Sequence, residues 1–357
     1  MTAALALRLQ RAATAATVPL GALVVSALAF GLIVFLLGSN PVEVYRMIYI
    51  GGFGSGFSWQ NTLQRVAPLL LMALCAALPA QLGLAVLGGE GAFVLGGLAA
   101  VEAALWAAQA PAGLDIAAML AAGTLVGAGV VGLAGLLRAW RGVSETISSL
   151  LINYMAIAVF NQLVEGPLRD SADLNRASTY PVPDQAMIGE IPGVGVHWGL
   201  AVGLVACGLA WVVVFRTTTG FAMRIVGGNP KAALGVGLPV GRLIVGACAV
   251  GGAAAGLAGS LETAAVYERA NSSLNAGYGF SGILISFIAR HNPLLIIPAA
   301  ILFGGIGASG GLIQRRLGLP DAAVTVLQGC TFLVVLMAET FRGRDLSEIF
   351  SSRSRAP

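Results

Sequence analysis

The chain alternates between long apolar runs and short polar joints. A helix needs about 20 apolar residues to cross a bilayer. Ten runs reach or approach that length, at 18–38, 62–80, 82–108, 115–137, 146–164, 198–215, 243–261, 279–290, 293–307 and 321–340. Two runs are interrupted. The third carries Gly88-Gly89-Glu90-Gly91 inside its apolar stretch. The eighth is short and turns at Arg290-His291-Asn292-Pro293 before the ninth, so one of these two is expected to be re-entrant. Paired broken segments, here Gly88–Gly97 and Gly279–Phe287, suggest an inverted repeat with a binding site between the halves. The pattern thus predicts an all-α, polytopic helical membrane protein of roughly ten transmembrane helices.

The polar joints are unequal. The stretch 40–61 reads as an external loop holding a short helix, with Gly-Gly-Phe-Gly-Ser-Gly at its centre. The stretch 165–197 is the longest polar segment, and 216–242 is a basic loop. Composition agrees with a lipid-facing surface: 57% of residues are hydrophobic and 10% charged, against about 25% charged in soluble domains. The 49 glycines let helix backbones approach closely where no hydrophobic force drives packing. The net charge of +4 reads as membrane topology rather than as affinity for nucleic acid, because the charges lie between apolar runs. With a cytoplasmic N-terminus, thirteen of the twenty basic residues fall inside; Arg46, Arg65, Arg169, Arg176, Arg269, Arg315 and Arg316 fall outside. The first apolar run is too long for a signal-peptide core and is expected to be a retained span. Trp59, Trp106 and Trp198 sit near span ends, as interface anchors do.

Several chemistries lack their residues. There is no phosphate-binding loop; Lys231, the only lysine, sits in Gly-Gly-Asn-Pro-Lys-Ala, which lacks that motif's second half. No hydrolase elbow or zinc signature appears, so no catalytic residue, metal site or cofactor is expected. Cys75, Cys207, Cys248 and Cys330 each lie within an apolar run without paired spacing, as small packing residues do. Acids within spans are sparse: Glu90, Glu102, Glu262 and Glu339 are the candidates, and the last three can lie near span ends. Ion-coupled carriers place such groups within their spans, so the energy for any transport is expected to come from elsewhere. A self-contained ion-coupled carrier or channel remains the alternative, and a membrane-embedded enzyme a third.

The basic loop 216–242 holds the most specific local signal. Asn229 can cap a short helix whose first residue is Pro230, and Gly235 or Gly237 can end it. A stub of about two turns held between spans is a handle that a partner can push; it can equally be an ordinary basic loop. Glu90 either lines a pathway or stabilises the helix break, or else lies close enough to the interface to be solvated. Asn153 can bond a polar solute or a neighbouring helix. Phe280 and Ser286 are pathway candidates because their segment is short and broken, although Phe280 can also be a packing aromatic. His197 and His291 read as interfacial residues.

From Gly220 to Gly237 the chain reads Gly-Phe-x-x-Arg-x-x-Gly-x-Asn-Pro-x-Ala-Ala-x-x-x-Gly. This resembles the coupling-helix loop of ABC importer permeases, and within them the branch handling branched-chain amino acids, ribose and other simple sugars, and nucleosides. Gly142-Val143-Ser144-Glu145-Thr146-Ile147 with Asn153-Tyr154, the stretch from Ala67 to Gly91, and Phe280–Pro293 resemble other parts of that branch. Together they cover about residues 60–340. The chain departs at Val86 and Ala92, where the branch carries Asn and Gln, and at Ser144, where Asn is usual.

The resemblance is closest to nucleoside or simple-sugar permeases. It implies one transmembrane permease domain over 1–357, multi-pass in the bacterial inner membrane. It implies partners: cytoplasmic ATP-binding subunits, a second permease in a heterodimer, an extracytoplasmic solute-binding protein, and lipid. The coupling residues would be Arg224, Gly227, Gly228, Asn229, Pro230, Ala232, Ala233 and Gly237, with Arg138–Glu145 as a further docking point. The missing phosphate loop fits, because hydrolysis would belong to separate chains.

Overall fold

A computed structural model describes residues 21–108, 111, 113–172, 176–320 and 322–341. Residues 18–20 of the first predicted span, residue 321, Asp173, and the terminal basic residues Arg8, Arg11, Arg342, Arg344, Arg353 and Arg355 lie outside them. Each of the ten predicted runs holds a helix. In chain order these are α1 (Gly21–Leu36), α2 (Pro41–Phe53), α3 (Gly56–Ala80), α4 (Gly89–Trp106), α5 (Leu114–Arg141), α6 (Glu145–Glu165) and α7 (Gly199–Arg216). Then follow α8 (Thr218–Gly228), α9 (Pro230–Gly235), α10 (Val240–Glu262), α11 (Tyr278–Ile288), α12 (Pro293–Ala308), α13 (Gly310–Leu317) and α14 (Ala322–Phe341). Among the described residues, extended pairing is limited to two isolated bridges, Ser178 with Asn271 and Glu190 with His197.

Not every run crosses. Seven helices are long and apolar enough to span, or eight if α1 and α2, bent by 119°, form one broken span. The α11 helix has 11 residues, about 16 Å at 1.5 Å per residue, so it is a half-span. The eighth run is therefore the short one, whereas Pro293–Leu317 has full spanning length. The third run is helical only from Gly89; residues 82–88 precede the helix as irregular backbone. The second begins six residues early, at Gly56, where Ser55 caps it by accepting from the Ser58 N–H at 3.1 Å.

The chain divides into two compact units, Gly52–Ala308 and a second drawn from Met1–Gly51 and Ser309–Pro357. In the second, α1 and α2 fold against each other: the Tyr45 hydroxyl donates to the Ala27 carbonyl, and the Phe30 and Tyr45 rings meet edge to face with centroids 6.1 Å apart.

Within Gly52–Ala308, α3 is the axis, and every residue from Val66 to Pro79 is buried. Around it, α4, α5 and α10 meet through glycines. A Cβ added at Gly256 would lie 2.9 Å from Gly127 Cα, and one at Gly127 would lie 2.6 Å from Gly256 Cα. No side chain larger than hydrogen fits there, which is how helices gain contact in lipid. Apolar side chains on the outer faces stay exposed: Leu125 on α5, Leu151 and Met155 on α6, Val205 and Leu209 on α7. Trp59, Trp106 and Trp198 are exposed at helix ends.

This unit has two distinct ends. At one, the long loop after α6 knits to the segment after α10: Val182 N–H donates to Glu268 O at 2.7 Å and Thr179 N–H to Ala270 O at 3.0 Å. At the other lie α8, α9, the α5–α6 joint and the α11–α12 turn. Arg169, Arg176 and Arg269 belong to the first end; Arg138, Arg141, Arg216, Arg224, Arg242 and Arg290 belong to the second. The ends match the two sides that arginine placement separates.

Candidate functional site

The site begins at the arginine-rich end. Thr217 starts α8 by accepting from the Gly220 N–H at 3.2 Å while its hydroxyl donates to Val213 O at 2.6 Å. Arg224 folds back from α8 to donate to Val214 O at 2.7 Å, its guanidinium 5.3 Å from the Phe215 ring centroid. A turn later Asn229 caps α9, its Oδ1 accepting from the Ala232 N–H at 3.1 Å, with Pro230 in the first helical position. Helix α9 closes by two bonds that together satisfy its last carbonyls: Gly237 N–H to Leu234 O at 3.0 Å and Leu238 N–H to Ala233 O at 3.1 Å. This geometry requires a left-handed residue at Gly237, whose φ is +79°. Ala233 is buried beneath the stub, whereas Gly228, Ala232, Leu234 and Val236 face outward. The α8 helix was not foreseen, since 216–228 reads from sequence only as basic loop.

The helix before the stub, α8, bears directly on the third run. A Cβ at Gly227 would meet the Gln81 carbonyl and lie 3.2 Å from Leu82 C, so α8 touches the 81–82 backbone with no side chain between. Residues 82–84 close the end of α3 through N–H bonds to Pro79 and Ala80, and 85–88 then climb to α4 as irregular backbone. Helix α6 supplies hydrogen-bond partners from one face: Thr146 Oγ1 donates to Ala85 O at 3.0 Å, Ser149 Oγ accepts from Leu87 N–H at 3.0 Å, and Asn153 Oδ1 accepts from Gly91 N–H at 2.6 Å. Spacings of three and four residues place all three on one helical face. Asn153 is fully buried, and its Nδ2 has no partner. Gly91 leaves room for this contact: a Cβ there would lie 2.9 Å from Asn153 O.

The two interrupted helices meet at Glu90. Its carboxylate accepts from Gly277 N–H at 2.7 Å through Oε1 and from Gly279 N–H through Oε2, across 187 and 189 residues. Both donors belong to the first turn of α11, whose orphan N–H groups and positive dipole end favour an anion. Glu90 is 2% exposed; it is not solvated at an interface. Phe93 packs on Tyr278 with ring centroids 5.6 Å apart. Two residues further, Phe280 is 52% exposed, the only large apolar side chain of α11 that is.

The far end of α11 is equally constrained. Arg290 and His291 take positive φ values of +53° and +58°, a conformation that costs a non-glycine residue about 1 kcal/mol or more. Ser286, fully buried, hydrogen-bonds His291 Nδ1 at 2.8 Å, and His291 N–H donates to Ser286 O at 2.7 Å. The Gln81 amide donates to His291 O at 2.8 Å and to Ala77 O at 3.3 Å. Burial pushes the His291 imidazole down to about 4, so the ring is neutral.

A second polar pair lies toward the opposite end. His197, 3% exposed, accepts from Gly199 N–H at Nδ1, 3.2 Å away, which leaves its ring proton on Nε2. That nitrogen lies 4.0 Å from Glu262 Oε2. Burial lowers the His197 pKa below its ordinary value. Glu262 does sit at the end of α10, yet it is buried.

The structure thus brings Glu90 and Asn153 to one break and places Phe280 beside it. Ser286 lies at the other end of α11, and Arg224 to Gly237 line the stub. Sequence reasoning missed Gln81, Ser149 and Gly277. Gln81 has a visible signal, being the first polar residue after the unbroken run from Val66 to Ala80.

The chain is similar to known proteins. A glucose ABC transporter permease protein of Haloferax volcanii is 30% identical to this chain, covering 92% of it and 90% of the relative. A guanosine ABC transporter permease protein of Bacillus subtilis is 28% identical over 91% of this chain and 94% of the relative. A nucleoside ABC transporter permease protein of Lactococcus lactis is 26% identical over 93% and 95%. The family model described as branched-chain amino acid transport system / permease component matches residues 58–336. With a family match over most of its length and a capped stub set against interrupted helices, the chain belongs to this permease family and is the transport component, not the ATPase, of an ABC system.

Proposed function

We propose that this chain carries a nucleoside or simple sugar inward across the inner membrane, driven by ATP-binding subunits that dock on α8 and α9. One observation carries the reading. The stub is capped at both ends and exposes Leu234 and Val236, and the α8 helix that leads into it through Asn229 rests at Gly227 backbone against backbone on Gln81–Leu82. A push on α9 therefore reaches the irregular segment 82–88 and the break at Glu90 without crossing a flexible side chain. A second permease subunit faces Phe280 across the pathway, and an extracytoplasmic binding protein meets the knitted loops at the far end. The solute class rests on relatives named for glucose, guanosine and nucleosides; Phe280 offers a flat ring for stacking on a base or a sugar face. Glu90 and Asn153 hold the break open, and Ser286 sets the turn below it.

The test replaces Gly228 and Ala232 with Glu. Both positions are exposed, and a Cβ at Gly228 meets nothing within 4 Å, so insertion should be normal. Loss of ATP-driven uptake at unchanged membrane abundance is expected. Unchanged uptake, or solute accumulation by this chain alone in liposomes, would remove the coupling role.

A further inference from the structure

Gln81 occupies a place that no local motif explains. Its backbone forms the surface on which Gly227 of α8 rests. Its side chain reaches in another direction, donating to the His291 carbonyl 210 residues away. The chain continuing from it is the irregular run to α4, and the turn it grips is the start of α12 and the end of α11. One residue therefore touches α8, which leads into the stub, and both interrupted segments.

The gripped turn is strained. Arg290 and His291 are consecutive non-glycine residues at positive φ, and such conformations persist only where their surroundings over-determine them. Among its holders are the Ser286 and Phe287 contacts within α11 and the Gln81 amide from outside it. Of these, only Gln81 moves with the end of α3. If the turn were held from within α11 alone, a displacement of α3 would leave it behind.

We propose that Gln81 is a positioning residue that splits one displacement of the stub between the two interrupted helices. Its backbone moves the approach to α4, and its amide donor drags the α11–α12 turn. Because both routes start at one residue, the Glu90 end and the His291 end of α11 shift together. This rests on the coupling reading above, but it makes its own claim: the Nε2 donor, rather than the size of the side chain, carries the second route.

The experiment uses the complete transporter, with ATPase subunits, partner permease and binding protein, in proteoliposomes loaded against guanosine or glucose. Two variants are compared. Gln81→Glu keeps the shape and loses the donor; Gln81→Lys changes the shape and keeps a donor within reach of the carbonyl. The quantity read is solute moved per ATP hydrolysed. For Q81E it is expected to fall by about fivefold or more, the range of a typical coupling free energy, while hydrolysis continues. For Q81K it is expected to stay near the parent. Amide hydrogen exchange at residues 290–292, read on the same preparations, should rise in Q81E only, and this readout serves even if uptake is weak. Equal loss in both variants, or unchanged stoichiometry and exchange in Q81E, would overturn the proposal. Failure of the parent chain to couple to any ATPase would instead sink the functional reading on which it stands.

Discussion

Removing the Glu90 carboxylate offers a quantitative test of how α11 is held. In the parent, Oε1 and Oε2 each accept a backbone N–H from the first turn of α11. Glu90→Ala leaves two donors unpaired in a buried site and opens a void. Each buried donor left unpaired costs about 1–3 kcal/mol. Part of this is recovered because a buried carboxylate no longer has to be accommodated. The net is a loss of roughly 3–4 kcal/mol. Glu90→Gln keeps one acceptor and turns an amide N–H toward the other donor, so about half of that loss is expected. At about 2–4 °C per kcal/mol, the slope for folds of about 150–250 residues, E90A should melt about 6–16 °C below the parent and E90Q about 3–8 °C below. Glu90→Asp is one methylene short of spanning both donors and should fall with E90Q. The assay is the apparent melting temperature of the detergent-purified chain at a fixed heating rate, since membrane proteins unfold irreversibly. Uptake should fall in the same order. If E90A melts within about 2 °C of the parent, the carboxylate does not anchor α11, and the joining of the two breaks loses its energetic basis.

Two further outcomes follow from the geometry. Asn229→Ala removes the α9 cap, worth about 1 kcal/mol, and Gly237→Ala forces a Cβ into the left-handed region at a similar cost of about 1 kcal/mol; both should reduce uptake and ATPase association at normal membrane abundance, whereas Asn229→Asp, which keeps the acceptor, should not. His291 is held near 4 against an ordinary 6.5, so the unfolded chain binds the extra proton first: stability should be full above about pH 6.5 and fall by roughly 2–3 kcal/mol as pH drops toward 4, a slope in melting temperature that His291→Asn should flatten.

Apolarity along the chain was enough to locate a helix in each of the ten apolar runs, because burial in lipid demands long runs and punishes charge. Capping chemistry was also readable: Asn229, Pro230 and Gly237 act within nine residues of one another, so their spacing states their geometry. Apolarity measures depth but not conformation, however. Residues 82–88 look like helix and are not, because Gly83 turns at φ +72° and the backbone takes its partners from Thr146 and Ser149. The start of α3 at Gly56 was hidden for the opposite reason: Gly56 to Asn61 are too polar for a span, yet they continue the helix below Thr62. The glycine interruptions flagged both broken helices, and they do meet. That they meet through Glu90, and that Gln81 reaches His291, depends on pairs nearly two hundred residues apart or more, which no local pattern encodes.

The glycine contact among α4, α5 and α10 constrains how this molecule can change shape. Where backbones touch directly, no rotamer can yield, and sliding one helix over another would push carbonyls into Cα atoms. Those three helices must travel as a single slab. Any alternation between outward- and inward-open shapes must then be absorbed elsewhere in Gly52–Ala308. The irregular stretch 85–88, whose backbone is held by side chains of α6 rather than by a helix of its own, is left as a hinge.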